Sequence, residues 1–173
     1  MINLLAEEFT RHPSELLPVL SLALALSWFC VCAIALFVID VRHHRLPNVL
    51  TAALAIGAMI SLLTATWTAS SDSFLAGRGV STLIGAGAYC LVMFVLHVVT
   101  RAGIGMGDVK LAAGLGLYTG FLGPNALAAG FVLAFLIGGL QALYLVVFRG
   151  ASKNTRLAFG PAMILGCVLV LLM

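Results

Sequence analysis

Charge is absent from five long apolar stretches of the chain, residues 16–39, 46–71, 79–100, 111–148 and 157–173. A transmembrane helix needs about 20 apolar residues to cross about 30 Å of hydrocarbon. The longest stretch, 111–148, would make a helix of about 57 Å at about 1.5 Å per residue, too long for one crossing. Its middle reads Gly120-Phe121-Leu122-Gly123-Pro124-Asn125, a strong turn signal. Dividing it there gives six predicted spans, near 17–39, 49–67, 80–99, 109–122, 126–148 and 158–173. The fourth and sixth are short, which predicts little tilt, a thinned bilayer or a wet cavity beside them. The expected fold is all-α, a polytopic membrane protein with one membrane-embedded domain over 1–173 and no separate soluble domain.

Composition agrees. Of the 173 residues, 62% are apolar and 9% charged, and the mean hydropathy is +1.17. A soluble domain carries about 25% charged residues. A disulfide scaffold, a disordered linker and an ordinary cytosolic enzyme are thereby excluded. Cys30, Cys32, Cys90 and Cys167 lie in apolar runs, where thiols pack as small hydrophobes. The net charge of +3 is too small to argue for a nucleic-acid partner. Its placement says more. With six spans, segments 40–48, 100–110 and 149–157 share one face and hold Arg42, Arg45, Arg101, Lys110, Arg149, Lys153 and Arg156, seven of the nine basic residues. Arg11 and Arg78 lie on the other face. Basic loops stay cytoplasmic, so both termini are expected on the non-cytoplasmic side. A cleaved signal peptide does not fit, because the first apolar run continues to Ile39. Residues 1–15 read as a short amphipathic segment.

Six acidic residues remain to be placed. Glu7, Glu8, Glu15 and Asp72 read as solvated charges. Asp40 and Asp108 each abut an apolar span, where an unpaired charge is costly and a site is the common reason for one. Two spans separate them, so both return to the same membrane face. A carboxylate pair there would share one proton, one member activating water while the other donates to a scissile carbonyl. The alternative is neutralisation of Arg42, Arg101 or Lys110 at the headgroups. Gly103-Ile104-Gly105-Met106-Gly107-Asp108 allows close backbone approach beside the second carboxylate, although an ordinary helix start would also suit Asp. A dinucleotide motif is ruled out, since no strand precedes these glycines and the third glycine is missing from its place. A metal site at Asp40, His43 and His44 is the weaker reading, because adjacent histidines diverge on a helix. No metal or other cofactor is expected. His97 lies near the same face, with helix-end packing the simpler account. Ala112-Ala113-Gly114-Leu115-Gly116 with Gly120, Gly85-Ala86-Gly87 and Gly138-Gly139 read as close helix-packing faces.

Asp40, followed by Pro47-Asn48, and later Gly105-Met106-Gly107-Asp108-Val109-Lys110-Leu111 together resemble the type IV prepilin peptidases. Phe159-Gly160-Pro161 at the start of the last span matches a recurring feature of the same family. The resemblance implies a membrane aspartic endopeptidase that removes leader peptides from prepilins and pseudopilins at the cytoplasmic face of the bacterial inner membrane. It makes Asp40 and Asp108 the catalytic pair, with Gly105 and Gly107 shaping the approach and Lys110, Pro47 and Asn48 in support. Bifunctional members also methylate the new N-terminus and carry a cytoplasmic insertion with paired Cys-x-x-Cys motifs. This chain lacks those motifs and resembles the compact peptidase-only members of Tad (Flp) pilus systems, so methyltransferase activity is not expected. Association with pilus assembly machinery is implied. Two other classes compete. A small transporter would hold its carboxylates deeper in the membrane, and a non-catalytic assembly subunit would need no aspartate pair.

Overall fold

The computed structural model describes residues 1–11, 16–43, 45–70, 72–73, 75–100, 104–149 and 159–173. Their helices are α1 (Ile2–Arg11), α2 (Leu16–His43), α3 (Asn48–Thr68), α4 (Arg78–Val99), α5 (Met106–Leu122), α6 (Pro124–Arg149) and α7 (Gly160–Leu172), and no strand occurs among the described residues. Four of these, α2, α3, α4 and α6, are long and apolar enough to cross a membrane. Helices α5 and α7, with 17 and 13 residues, are the short ones. The division of the longest apolar stretch is as expected. Gly123, at φ 113°, forms the joint between α5 and α6 in a region closed to most side chains. Pro124 then opens α6, where its missing N–H has no helical partner to lose.

Helices α2, α3, α4, α6 and α7 pack in that cyclic order, each against the next and α7 back against α2. Helix α5 fills the centre, packing against α3, α4, α6 and α7 and meeting α2 through Tyr118. Every residue from Gly114 to Phe121 is buried. The tightest seam is with α4. A Cβ on Gly116 would stand 2.5 Å from the Gly85 carbonyl oxygen, and one on Gly120 would stand 2.7 Å from Gly85 Cα and from Ser81 O. Small residues four apart let backbones meet this closely, and dispersion between them holds membrane helices together. Two glycines expected in such faces do otherwise: Gly87 and Gly139 face open space, while Gly138 makes room for the Phe159 ring. Around the centre, the Tyr118 hydroxyl donates to Ala25 O at 2.9 Å and the Trp28 indole to Ala53 O at 2.9 Å. Each satisfies a ring donor that apolar surroundings would otherwise strand.

One end of the bundle is closed by α1. The Met1 amino group donates to Leu171 O at 3.0 Å, and Ser73 Oγ donates to Glu8 Oε1 at 2.7 Å. Glu8 is only 3% exposed, which corrects its reading as a solvated charge. Glu15, His44, Arg101, Gly103, Lys153 and Arg156 lie outside the described residues. The four cysteines are free, with Cys32 and Cys167 buried.

The α4–α5 seam gives a direct test. Gly116→Leu should lower stability by about 3 kcal/mol or more, because backbone rather than a flexible side chain blocks the new atoms. Gly139→Leu should leave the thermal midpoint in detergent unchanged. Equal midpoints for the two variants would show that the seam does not carry the fold.

Candidate active site

The site lies at the end of the bundle opposite α1, where the N-terminal ends of α5 and α7 meet the last turn of α2. Asp40 belongs to that last turn, since α2 runs on to His43 instead of stopping at the carboxylate. Asp108 sits in the first turn of α5. It does not cap the helix itself. Gly105 is the N-cap, and the two residues bond reciprocally: Asp108 N–H donates to Gly105 O at 3.0 Å, and Gly105 N–H donates to Asp108 Oδ2 at 3.3 Å. This places the Asp108 carboxylate at N3, where it answers an otherwise orphaned amide.

Asp40 and Asp108 are 4% and 8% exposed. Asp108 precedes the apolar run 109–122, and its carboxyl is pushed up to about 6, first by burial and then by the charge on Asp40, with the Gly105 N–H pulling it back. The two carboxylates therefore feel one another, as a pair that resists double ionisation does. Leu46 packs between their supports. Its side chain lies 3.0 Å from where a Cβ of Gly107 would stand, and 3.4 Å from where one of Gly160 would stand.

Gly160 is the contributor that the sequence reading did not assign to the site. A Cβ there would stand 2.5 Å from Asp40 Oδ2. Only a residue without a side chain lets the first turn of α7 lie against this carboxylate, and the unpaired N–H end of a helix favours negative charge. The clue in the sequence was Phe159-Gly160-Pro161, which signals a helix start but carries no hint of its neighbour.

The supporting residues expected from sequence fall at the rim. Pro47 caps α3, its carbonyl accepting from Leu50 and Thr51 N–H at 3.1 Å each. Asn48 begins α3, and its Oδ1 accepts a 2.8 Å bond from Lys110 Nζ. Lys110 thus ties α5 to α3 across an exposed edge. His43 is exposed. Among the described residues no three metal-ligating side chains converge. His97 Nδ1 lies 2.6 Å from Ile104 O, immediately before the glycine that bonds Asp108.

Long apolar helices packed as a ring around a buried one make this a polytopic membrane protein, and its relatives are bacterial. The chain belongs to the type IV leader peptidase family, which it matches over residues 27–143. That span includes Asp40 and Asp108 and ends before Gly160. The chain is 38% identical over 101 residues to a prepilin leader peptidase/N-methyltransferase of Bacillus subtilis (strain 168), covering 58% of this chain and 38% of the relative. It is 31% identical over 144 residues to the protein of that name from Aeromonas hydrophila, covering 80% and 44%. A type 4 prepilin-like proteins leader peptide-processing enzyme of Escherichia coli O78:H11 (strain H10407 / ETEC) is 32% identical over 146 residues, covering 83% and 49%. The chain thus spans less than half the length of each of these relatives. No solved structure gives a significant match.

The shift at Asp108 has a measurable consequence for stability. Its folded carboxyl titrates above its unfolded value of 3.8, so the fold favours the protonated form. The contribution of this carboxyl to stability is therefore greatest below about pH 4, falls as pH rises to about 6, and is level above that. Asp108→Asn removes the penalty and should raise the unfolding free energy at about pH 8 by an amount on the order of 2–3 kcal/mol, seen as a higher thermal midpoint. The gain should vanish at about pH 4, where the native carboxyl is already neutral. A variant destabilised at both pH values would contradict this electrostatic account.

Proposed function

We propose that this chain is an aspartic endopeptidase that removes the leader peptide of type IV or Flp-like prepilins and pseudopilins, with Asp40 and Asp108 as its reacting pair. The observation that carries the reading is the meeting of two buried carboxylates, from different helices, at the ends of helices rather than at mid-span. A transporter pathway would want such groups deeper, and an assembly subunit would have no use for them.

In this reading the pair holds one shared proton. The ionised carboxylate takes a proton from water as the oxygen attacks the scissile carbonyl, and the protonated one donates to the carbonyl oxygen. Collapse of the tetrahedral adduct then returns a proton to the leaving amine. Gly105 and Gly107 keep side chains away from the strand of substrate beside Asp108, while Pro47, Asn48 and Lys110 hold the rim. The whole of 1–173 acts as one membrane-embedded domain. Counted by spans along the sequence, seven of the nine basic residues belong to the side of the pair, so in this reading the site faces the cytoplasm from the bacterial inner membrane, and six helices span the bilayer with both ends of the chain opposite. Association with the pilus assembly machinery follows from the substrate. Methyl transfer is no part of this proposal.

A seat for the apolar helix of the substrate is available. A groove of about 250 Å³ opens to the side between α2 and α7, lined by Phe29, Ala33, Ile34, Phe37, Ile164 and Val168 among others. Seven residues at about 100° each put Asp40 within about 20° of Ala33 around α2. The groove therefore points along the helix to the carboxylate.

Prepilin processing by detergent-solubilised protein, with candidate prepilins co-expressed, tests the assignment. Asp40→Asn and Asp108→Asn should each abolish cleavage, and the double variant should be no worse than either, because the two serve one transition state. Asp72→Asn, at the opposite end, should be fully active, and EDTA should be without effect. Robust cleavage by either single variant would sink the aspartic mechanism, and loss to EDTA with rescue by a divalent metal would turn attention to Asp40, His43 and His44.

Gly160→Ala should lower the rate on the order of 10²-fold by displacing the Asp40 carboxylate. Gly139→Ala, in open space, is the matched control. Full activity in Gly160→Ala would show that the first turn of α7 does not set the position of Asp40.

A further inference from the structure

The residues that bring Asp108 into the site include Gly105 and Gly107, and glycine leaves the backbone a freedom that a neighbour must restrain. His97, two residues before the end of α4, reaches across to it. A carbonyl oxygen has no proton, so at 2.6 Å from Ile104 O the Nδ1 atom is the donor. The Ile104 carbonyl and the Gly105 N–H are the two edges of one peptide group. That same N–H donates to Asp108 Oδ2 at 3.3 Å. One peptide plane is thus pinned on its oxygen side by the imidazole and on its nitrogen side by the carboxylate. Drawing electron density toward the carbonyl oxygen strengthens the amide as a donor, as in other hydrogen-bond chains.

Helix-end packing does not require this contact. The last turn of α4 is closed by Thr100 N–H donating to Leu96 O at 2.9 Å, with the Thr100 hydroxyl on the same oxygen at 2.7 Å. His97 bonds away from its own helix. Its ring lies near that of Phe94, with centroids 6.5 Å apart. The glycine seam at Gly85, Gly116 and Gly120 fixes α4 against α5 beyond the peptide, so α4 can serve as a rigid post.

From this geometry we infer that His97 is the positioning residue for Asp108, acting through the Ile104–Gly105 peptide to set the direction of the carboxylate. The inference rests on the proposal that Asp40 and Asp108 are the reacting pair. It assigns His97 no contact with substrate.

The test uses the atom that does the holding. An Asn amide nitrogen takes nearly the place of Nδ1, whereas a Gln amide nitrogen takes that of Nε2. His97→Ala, His97→Asn and His97→Gln are made in the full chain and assayed on a prepilin that the native protein cleaves, at equal amounts of folded protein. His97→Ala should lower kcat by about 10- to 100-fold with KM nearly unchanged. His97→Asn should recover most of the loss and His97→Gln little of it. Native kcat in His97→Ala, or equal activity of the Asn and Gln variants, overturns the inference while inactivity of Asp108→Asn leaves the aspartate pair standing. If the Ala variant fails to fold, the Asn and Gln comparison decides alone. Cleavage by Asp108→Asn instead overturns the underlying proposal.

Discussion

The constraint on which this structure depends is the enclosure of α5 by five other helices. A helix packed on nearly every side has no lipid-facing surface to absorb misfit, so its approach to each neighbour must be specified. The sequence does this with one seam almost without side chains, Gly116 and Gly120 against Gly85, and bulkier contacts elsewhere. Its far end is fixed too, because Arg78 Nη1 donates to Phe121 O at 2.7 Å and satisfies a carbonyl of the last turn. With length and far end set, the depth of Asp108 is set. The catalytic proposal is thereby a consequence of packing.

Asp40 reaches the same spot by a different route. It rides on α2, part of the ring, and is held there through α3 and α7. Leu46, in the short link from α2 to α3, packs beside both Gly107 and Gly160, so the link itself spaces the two carboxylate-bearing ends. Burying two acids together costs stability, as the raised titration of Asp108 makes plain. A fold selected for stability alone would discard one of them.

Much of this was legible along the chain. The gaps between charges gave the helices to within a few residues, and Gly123-Pro124 marked the break in the longest run, because lipid imposes a strong local rule on composition. Counting spans between Asp40 and Asp108 put them on one face, and the structure has them at one end of the bundle. Three features were not legible. Glu8 reads as a surface charge in a segment with Glu7 and Arg11, yet it is buried on Ser73. Gly160 lies against an aspartate 120 positions earlier in the chain, and His97 holds a peptide whose importance lies in what it bonds next. Each of these is a pairing between distant segments, and local pattern carries no information about partners.

The short helices also set where the buried acids lie. At about 1.5 Å per residue, α5 and α7 are about 25 and 20 Å long, less than the hydrocarbon thickness of about 30 Å. Their far ends are tied at the α1 side, α5 through Arg78 and α7 through the Met1 contact with Leu171. The end left free of these ties is the one where Asp40 and Asp108 meet. The ends of α5 and α7 that meet there are helix N-termini, whose partial positive charge stabilises one negative charge nearby. Burial and mutual repulsion oppose a second. The surroundings so arranged favour the singly protonated pair, which is the form that a water-activating acid–base dyad requires.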